Sequence, residues 1–339
     1  MKHYLILLLI ALAACNGNID SQDNWIIPSD EVFDGGPGKD GIPSIDNPVF
    51  EEALSNTYLD PSDLVIGVVH NGVAKAYPHR ILDWHEIIND RIDDQYFALT
   101  YCPLTGTGVS WNRELDGEVT TFGVSGKLYN TNLMPFDRKT ESYWSQMRLD
   151  CVQGDLVSTV IETFPIIETT WETWIAMYPN SSVMTLDTGF SRNYSTYPYG
   201  DYRTNHNNII FPVIPEDSRL PAKERVLAVI SESESKVYSI EHFDQDKVIV
   251  DLLDSSELLI FGSKESNFIL AYENIGLQNV QMTSGSSEFL AEDSDGNKIS
   301  LSGAIVEGPL QGTQLVQAKS ILGYYFSLAA FYPDIAIYQ

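Results

Sequence analysis

Residues 64–77 read Leu-Val-Ile-Gly-Val-Val-His-Asn-Gly-Val-Ala-Lys-Ala-Tyr, and Pro78 follows. Leu64–Val69 and Val73–Tyr77 have strand character, and Asn71-Gly72 between them supplies the positive φ angles of a tight hairpin turn. The pattern returns later in the chain. Val65-Ile66-Gly67-Val68 through Ala76-Tyr77 is answered by Val226-Leu227-Ala228-Val229 through Val237-Tyr238, an offset of 161 (226−65, 238−77). The closing ends correspond too, at an offset of 154 (308−154, 332−178). Gly154-Asp155-Leu156 precedes Trp171, Trp174 and Tyr178-Pro179, while Gly308-Pro309-Leu310 precedes Tyr325, Leu328 and Tyr332-Pro333. Residues 65–183 and 226–337 therefore read as two copies of one unit, in which shared apolar positions serve folding.

Working outward, Ile81, Trp84, His85 and Ile88 stand at helical spacing and predict a helix over 80–90. Residues 96–102 form a strand-like run stopped by Pro103, and Val109–Arg113 and Val119–Val124 read as further strands. A short aromatic helix is predicted over 169–178 and a closing strand over Ser182–Leu186. In the second copy Val248–Leu253, Glu257–Gly262 and Phe268–Tyr272 read as strands. Strands and helices do not alternate regularly, which predicts an α+β fold. Its plan is two diverged repeats, each a mostly antiparallel sheet with one or two packed helices. The first repeat occupies 41–190 and a degenerate second one 223–339. Between them, 191–222 holds Tyr194, Tyr197, Tyr199, Tyr202 and His206. That loop is either an ordered roof over a site or a plain linker.

Met1-Lys2, an apolar stretch from Tyr4 to Ala14, and Leu12-Ala13-Ala14-Cys15 have the form of a secretory signal. The last four residues resemble a bacterial lipobox, so 1–15 is expected to be a lipoprotein signal with Cys15 lipidated. An ordinary signal with an incidental cysteine is the alternative. Residues 16–40, rich in Asn, Ser, Asp and Gly, read as a flexible tether. The expected location is the bacterial cell envelope, lipid-anchored. The 47 acidic and 20 basic residues give a net charge of −27, which disfavours nucleic acid and anionic lipid as partners. With 339 residues and 43% hydrophobic content, there is core enough for one large or two intimate domains.

Apart from Cys15, the cysteines are Cys102 and Cys151. They read as a disulfide, as two inert thiols, or as a functional Cys102 with a bystander. His85 is expected to point inward and Cys102, at a strand end stopped by Pro103, to sit on an exposed rim; the second-copy position of His85 is Asp246 (85+161), and the place of Cys102 falls near Gly262-Ser263. An imidazole and a thiolate together suit copper or zinc. The same pair, with Asn89 or Asp90 as an orienting group, suits a nucleophilic thiol. A second constellation runs from Ser125-Gly126 through Asp137-Arg138-Lys139-Thr140 to Ser142 and Trp144, with Ser-Gly repeated at Ser284-Gly285. Arg138, Thr140 and Ser142 read as a patch for a carboxylate or phosphate-like group beside an apolar wall at Trp144. The bland alternative is a structural Asp137–Arg138 ion pair.

Four segments carry a resemblance to a known family: residues 82–90 (Leu-Asp-Trp-His-Glu-Ile-Ile-Asn-Asp), 100–107 (Thr-Tyr-Cys-Pro-Leu-Thr-Gly-Thr), 122–130 (Phe-Gly-Val-Ser-Gly-Lys-Leu-Tyr-Asn) and 137–146 (Asp-Arg-Lys-Thr-Glu-Ser-Tyr-Trp-Ser-Gln). They resemble the domain-of-unknown-function family 3179, from about residue 40 to the C-terminus. The resemblance implies an exported or membrane-associated bacterial protein and brings no activity with it. It directs attention to His85, Glu86, Asn89, Asp90, Cys102, Asp137, Arg138, Thr140, Ser142 and Trp144. Where many members carry a second cysteine three residues after the first, this chain has Thr105, which weakens a dithiol or two-thiolate reading. Three functions follow as expectations: a metal-binding module at His85 and Cys102, a thiol-dependent hydrolase or transferase using Cys102, or a structural lipoprotein that docks a partner.

Overall fold

The computed structural model describes residues 24–283 and 289–339; Cys15, the apolar stretch before it and Ser284-Gly285 lie outside the described residues. The hairpin forms from strands Leu64–His70 and Val73–Pro78, with Asn71 and Gly72 at φ +49° and +80°. Strand Ile167–Thr170 runs antiparallel along its first arm, and Ser182–Met184 runs parallel along its second. In the second half Arg225–Ile230 pairs with Ser235–Ser239. Ser320–Tyr324 runs antiparallel on one side of that pair and Ala336–Ile337 parallel on the other. The two sheets share strand order and sense. Each is followed by an antiparallel meander: Ile87–Ile92, Gln95–Cys102 and Thr107–Asn112 in the first half, and Lys247–Leu253, Ser256–Ser263 and Phe268–Glu273 in the second.

One polar clip joins hairpin to meander in both halves. Lys75 Nζ and the Tyr77 hydroxyl donate to Asp90 Oδ2 at 2.8 and 2.6 Å; Lys236 Nζ and the Tyr238 hydroxyl donate to Asp251 Oδ2 at 2.9 and 2.8 Å. All three positions are 161 apart (236−75, 238−77, 251−90).

The α+β expectation is overturned: the described residues are mostly β, with strands making up 41% of them. Among those residues the three α-helices, His79–His85, Trp171–Met177 and Tyr325–Phe331, have seven residues each. The helix predicted over 80–90 stops at His85, because Glu86 turns left-handed (φ +57°) and Ile87 starts a strand. Ile88 is fully buried there, so one inward residue satisfied both the helical spacing and the strand. β-branched Ile87, Ile88 and Ile92 favour the pleated alternative.

Residues 24–40, expected as free tether, lie along the body. Ile26 N donates to the Val152 carbonyl at 3.0 Å, Trp25 stacks on Tyr143, and Val32–Asp34 pairs with Phe122–Tyr129. The halves share cores: Trp111, Trp144 and Ile87 from the first pack in one cluster with Val226, Tyr325 and Leu328 from the second. Trp174 of the second helix lies so close to Gly67 that a Cβ there would fall 1.8 Å from its ring. Any side chain at Gly67 would displace the helix from the sheet.

Candidate functional site

His85 closes the first helix and is fully buried. Its Nδ1 lies 2.7 Å from the Pro43 carbonyl and its Nε2 2.7 Å from the Tyr194 hydroxyl. A carbonyl only accepts, so Nδ1 carries the proton and Nε2 accepts from Tyr194. Burial holds the imidazole below its ordinary pKa. No lone pair remains for copper or zinc. Cys102 is equally buried, and burial, with Glu86 beside it, pushes its thiol up to about 11. Its sulfur lies 3.8 Å from the Thr131 carbonyl, a long hydrogen bond, and contacts with Thr105 and the Leu133 backbone offset the burial only in part. Cys102 and Cys151 are free thiols and do not pair.

Neither proposed orienting group serves a thiolate–imidazole pair. Asn89 Nδ2 donates to Asp46 Oδ1 and the Phe122 carbonyl, both at 2.8 Å, and Asn89 Oδ1 accepts from Phe122 N at 2.8 Å. Asp90 is engaged by Lys75 and Tyr77. Among the described residues no group of three or more His, Cys, Asp or Glu side chains is placed to hold a metal ion.

The second constellation is occupied with the chain itself. Ser125 donates to the Met134 carbonyl and accepts from Lys127 N at 3.0 Å, fixing a bulge. Asp137 Oδ1 accepts from Thr140 N at 2.6 Å, Thr140 Oγ1 lies 2.7 Å from Ser142 Oγ, and Trp144 Nε1 donates to Asp137 Oδ2 at 3.1 Å. Ser142 Oγ then accepts from Leu156 N at 3.3 Å, two residues past Gly154 with its φ of +107°. The second half makes the same arrangement: Asp293 Oδ1 accepts from Asn297 N, and Asn297 Oδ1 from Leu310 N, both at 2.8 Å, two residues past Gly308 at φ +106°. Arg138 pins residues 40–46, donating to Asp40 Oδ1 at 2.7 Å and Ser44 Oγ at 3.0 Å, with Asp46 Oδ1 at 3.3 Å. These bonds account for Ser125, Asp137, Arg138, Thr140, Ser142 and Trp144 without a ligand.

A different set of side chains meets at a cleft of about 270 Å³ beside the first helix. The helix contributes His79, Arg80 and Asp83; the loop between the halves contributes Tyr194–Tyr197 and Arg203. His79 Nε2 lies 3.5 Å from Glu168 Oε2, with both side chains almost entirely buried, and has no closer partner. Glu168 also accepts from Arg225 Nη2, a residue of the second half. Burial opposes ionisation of Glu168, but Arg225, His79 and Arg203 outweigh it and hold its carboxyl below the usual range. Arg203 Nη2 donates to Asp83 Oδ1 at 2.5 Å, its guanidinium lies 3.9 Å above the Tyr197 ring, and its side chain stays 35% exposed. Burial raises the Asp83 carboxyl despite Arg203 and His79. The cleft is thus a partly enclosed polar chamber with fixed donors, able to orient a small hydrogen-bonding molecule.

The tyrosine-rich loop is bolted over this region. Trp84 Nε1 donates to the Thr196 carbonyl at 3.1 Å, Tyr197 to the Pro103 carbonyl at 3.3 Å, and Tyr202 to the Leu104 carbonyl at 3.0 Å. Tyr199 donates to Glu86 Oε1 at 3.4 Å. Burial pushes the Glu86 carboxyl up to about 8, with Tyr199 pulling weakly the other way.

His79, Asp83, Glu168 and Arg225 escaped the sequence reading, although comparing the two halves would have exposed the pair at the floor. The position matching His79 is Ile240 (79+161), and that matching Glu168 is Leu322 (168+154). The pairings agree, since Glu168 faces Ile66 and Leu322 faces Leu227 (66+161).

A family model described as a protein of unknown function, DUF3179, matches residues 39–335. The chain belongs to that family. No curated protein matches it, and no solved structure does.

Proposed function

We propose that this is a lipid-anchored cell-envelope protein, built by duplication, whose first half binds a small polar molecule in the His79 cleft. The observation that carries the reading is the buried His79–Glu168 pair beneath an open polar chamber. At the matching places the second half has Ile240 and Leu322, which pack in one apolar cluster. A buried polar pair that the fold replaces by hydrocarbon elsewhere is not kept for folding alone, since burying such groups costs stability. Duplication is supported by the shared strand order and the matching Lys–Tyr–Asp clips. Anchoring is supported by Leu12-Ala13-Ala14-Cys15. Metal binding at His85 and Cys102, and thiol catalysis by Cys102, have less support, because the imidazole is fully hydrogen-bonded and the thiol buried and protonated.

A thermal-shift screen of small polar compounds, run on the wild type and on His79→Ile, checks the cleft. His79→Ile copies Ile240, so the variant should fold and should lose every stabilisation that depends on the cleft. Identical responses from the two proteins across the screen would end this reading.

A further inference from the structure

We infer that the His79 cleft is an oxyanion site: it takes a small molecule through a carboxylate or phosphate group, held by Arg203, Arg80 and the free face of His79. This rests on the binding reading above and adds the ligand's chemistry. The chain has nine arginines and a net charge of −27, yet Arg80, Arg203 and Arg225 converge on this one cleft and its floor. From Val226 to the C-terminus there is no arginine. So acidic a surface repels anions, and a local gathering of guanidinium groups is what an anion needs to be held against that field.

The carboxylates present do not use up these donors. Arg203 gives Nη2 to Asp83 and keeps a third of its side chain exposed at the cleft. Arg80 gives Nη1 to the Tyr58 carbonyl at 2.8 Å and Nη2 to Asp63. Arg225 is taken up by Glu168 and the Gly106 carbonyl, beneath the floor. His79 turns Nε2 toward Glu168, which leaves Nδ1 for the cleft it lines. Arg80 also lies 4.0 Å from Asp60, so four carboxylates stand against three arginines, and the donors left over, not the net charge, are what an anion can use. The guanidinium groups of Arg203 and Arg80, beside the His79 ring, present donors to both oxygens of one bound group.

Calorimetric titration of the full-length protein at low ionic strength tests this with succinate, inorganic phosphate and the uncharged diamide succinamide. Succinate or phosphate should bind, and which of the two does so names the source of the oxyanion. Succinamide should not bind, and affinity should fall at least about tenfold in His79→Ile and in Arg203→Gln. Because Arg203→Gln releases Asp83 and can loosen the loop, His79→Ile is the deciding variant, provided its melting temperature stays close to that of the wild type. The inference is overturned if neither anion binds, if succinamide binds as well as succinate, or if His79→Ile leaves anion affinity unchanged. Uncharged compounds that bind and are lost in His79→Ile would remove the oxyanion chemistry but keep the cleft. If no compound of any charge depends on His79, both readings fall.

Discussion

Cys102 lies beside Tyr199, Tyr202 and Glu86, the last brought close where Tyr101 N donates to the Glu86 carbonyl, and its neighbours decide its chemistry. An ordinary thiol is several per cent ionised at pH 8; one raised to about 11 is roughly a hundredfold less so, and only the thiolate attacks. Iodoacetamide should therefore label Cys102 at pH 8 at least about a hundredfold more slowly in the native protein than in denaturant. Rapid native labelling would restore the nucleophile reading. Cys102, expected on an exposed rim, is instead buried, while the inward face of the His85 imidazole is legible in the spacing of its apolar neighbours. Protonation of the two side chains is not, because the groups that fix it come from afar. Pro43 is 42 residues from His85 and Tyr194 is 109 away. The bonds within the chain that engage Asp137 and Thr140 were not legible either, since a dense polar run reads alike whether it binds a ligand or braces a turn.

The His79–His85 helix and the loop over it form one mechanical unit, with Glu86 at the joint. Folding holds Glu86 protonated up to about pH 8, whereas the unfolded chain loses that proton near pH 4.5. Between those values the unfolded state binds fewer protons, so stability falls as pH rises. Glu86→Gln should remove that part of the slope. It should match the wild type near pH 4.5 and exceed it at pH 8 by on the order of 3 kcal/mol. A stability difference that stays constant from pH 4.5 to 8 would contradict a protonated Glu86. The hairpin was legible, since Asn71-Gly72 between two apolar runs leaves few alternatives. The helix boundary was not: no sequence rule forecasts a left-handed glutamate, which packing must impose.

Across the molecule, the paired clips allow the proposed duplication to be tested. Asp90→Asn and Asp251→Asn each strip a lysine and a buried tyrosine of the same acceptor, so each should cost roughly 1–3 kcal/mol in denaturant titration. A loss confined to one of them would show that the likeness is in geometry alone. Anchoring has its own check. Cys15→Ser should abolish incorporation of labelled fatty acid and release the protein from membranes, and an unchanged membrane fraction would count against a lipid anchor.

The stitching of residues 24–34 onto the body bears on that anchor in another way. From Cys15 to Asn24, whose Nδ2 donates to the Gly154 carbonyl at 3.1 Å, there are nine residue steps (24−15), which reach at most about 30 Å when fully drawn out. A protein moored at Cys15 has that short leash and no more. It could not range across the periplasm after a distant partner; it would work at a nearly fixed height above the bilayer, meeting only what diffuses along that thin layer.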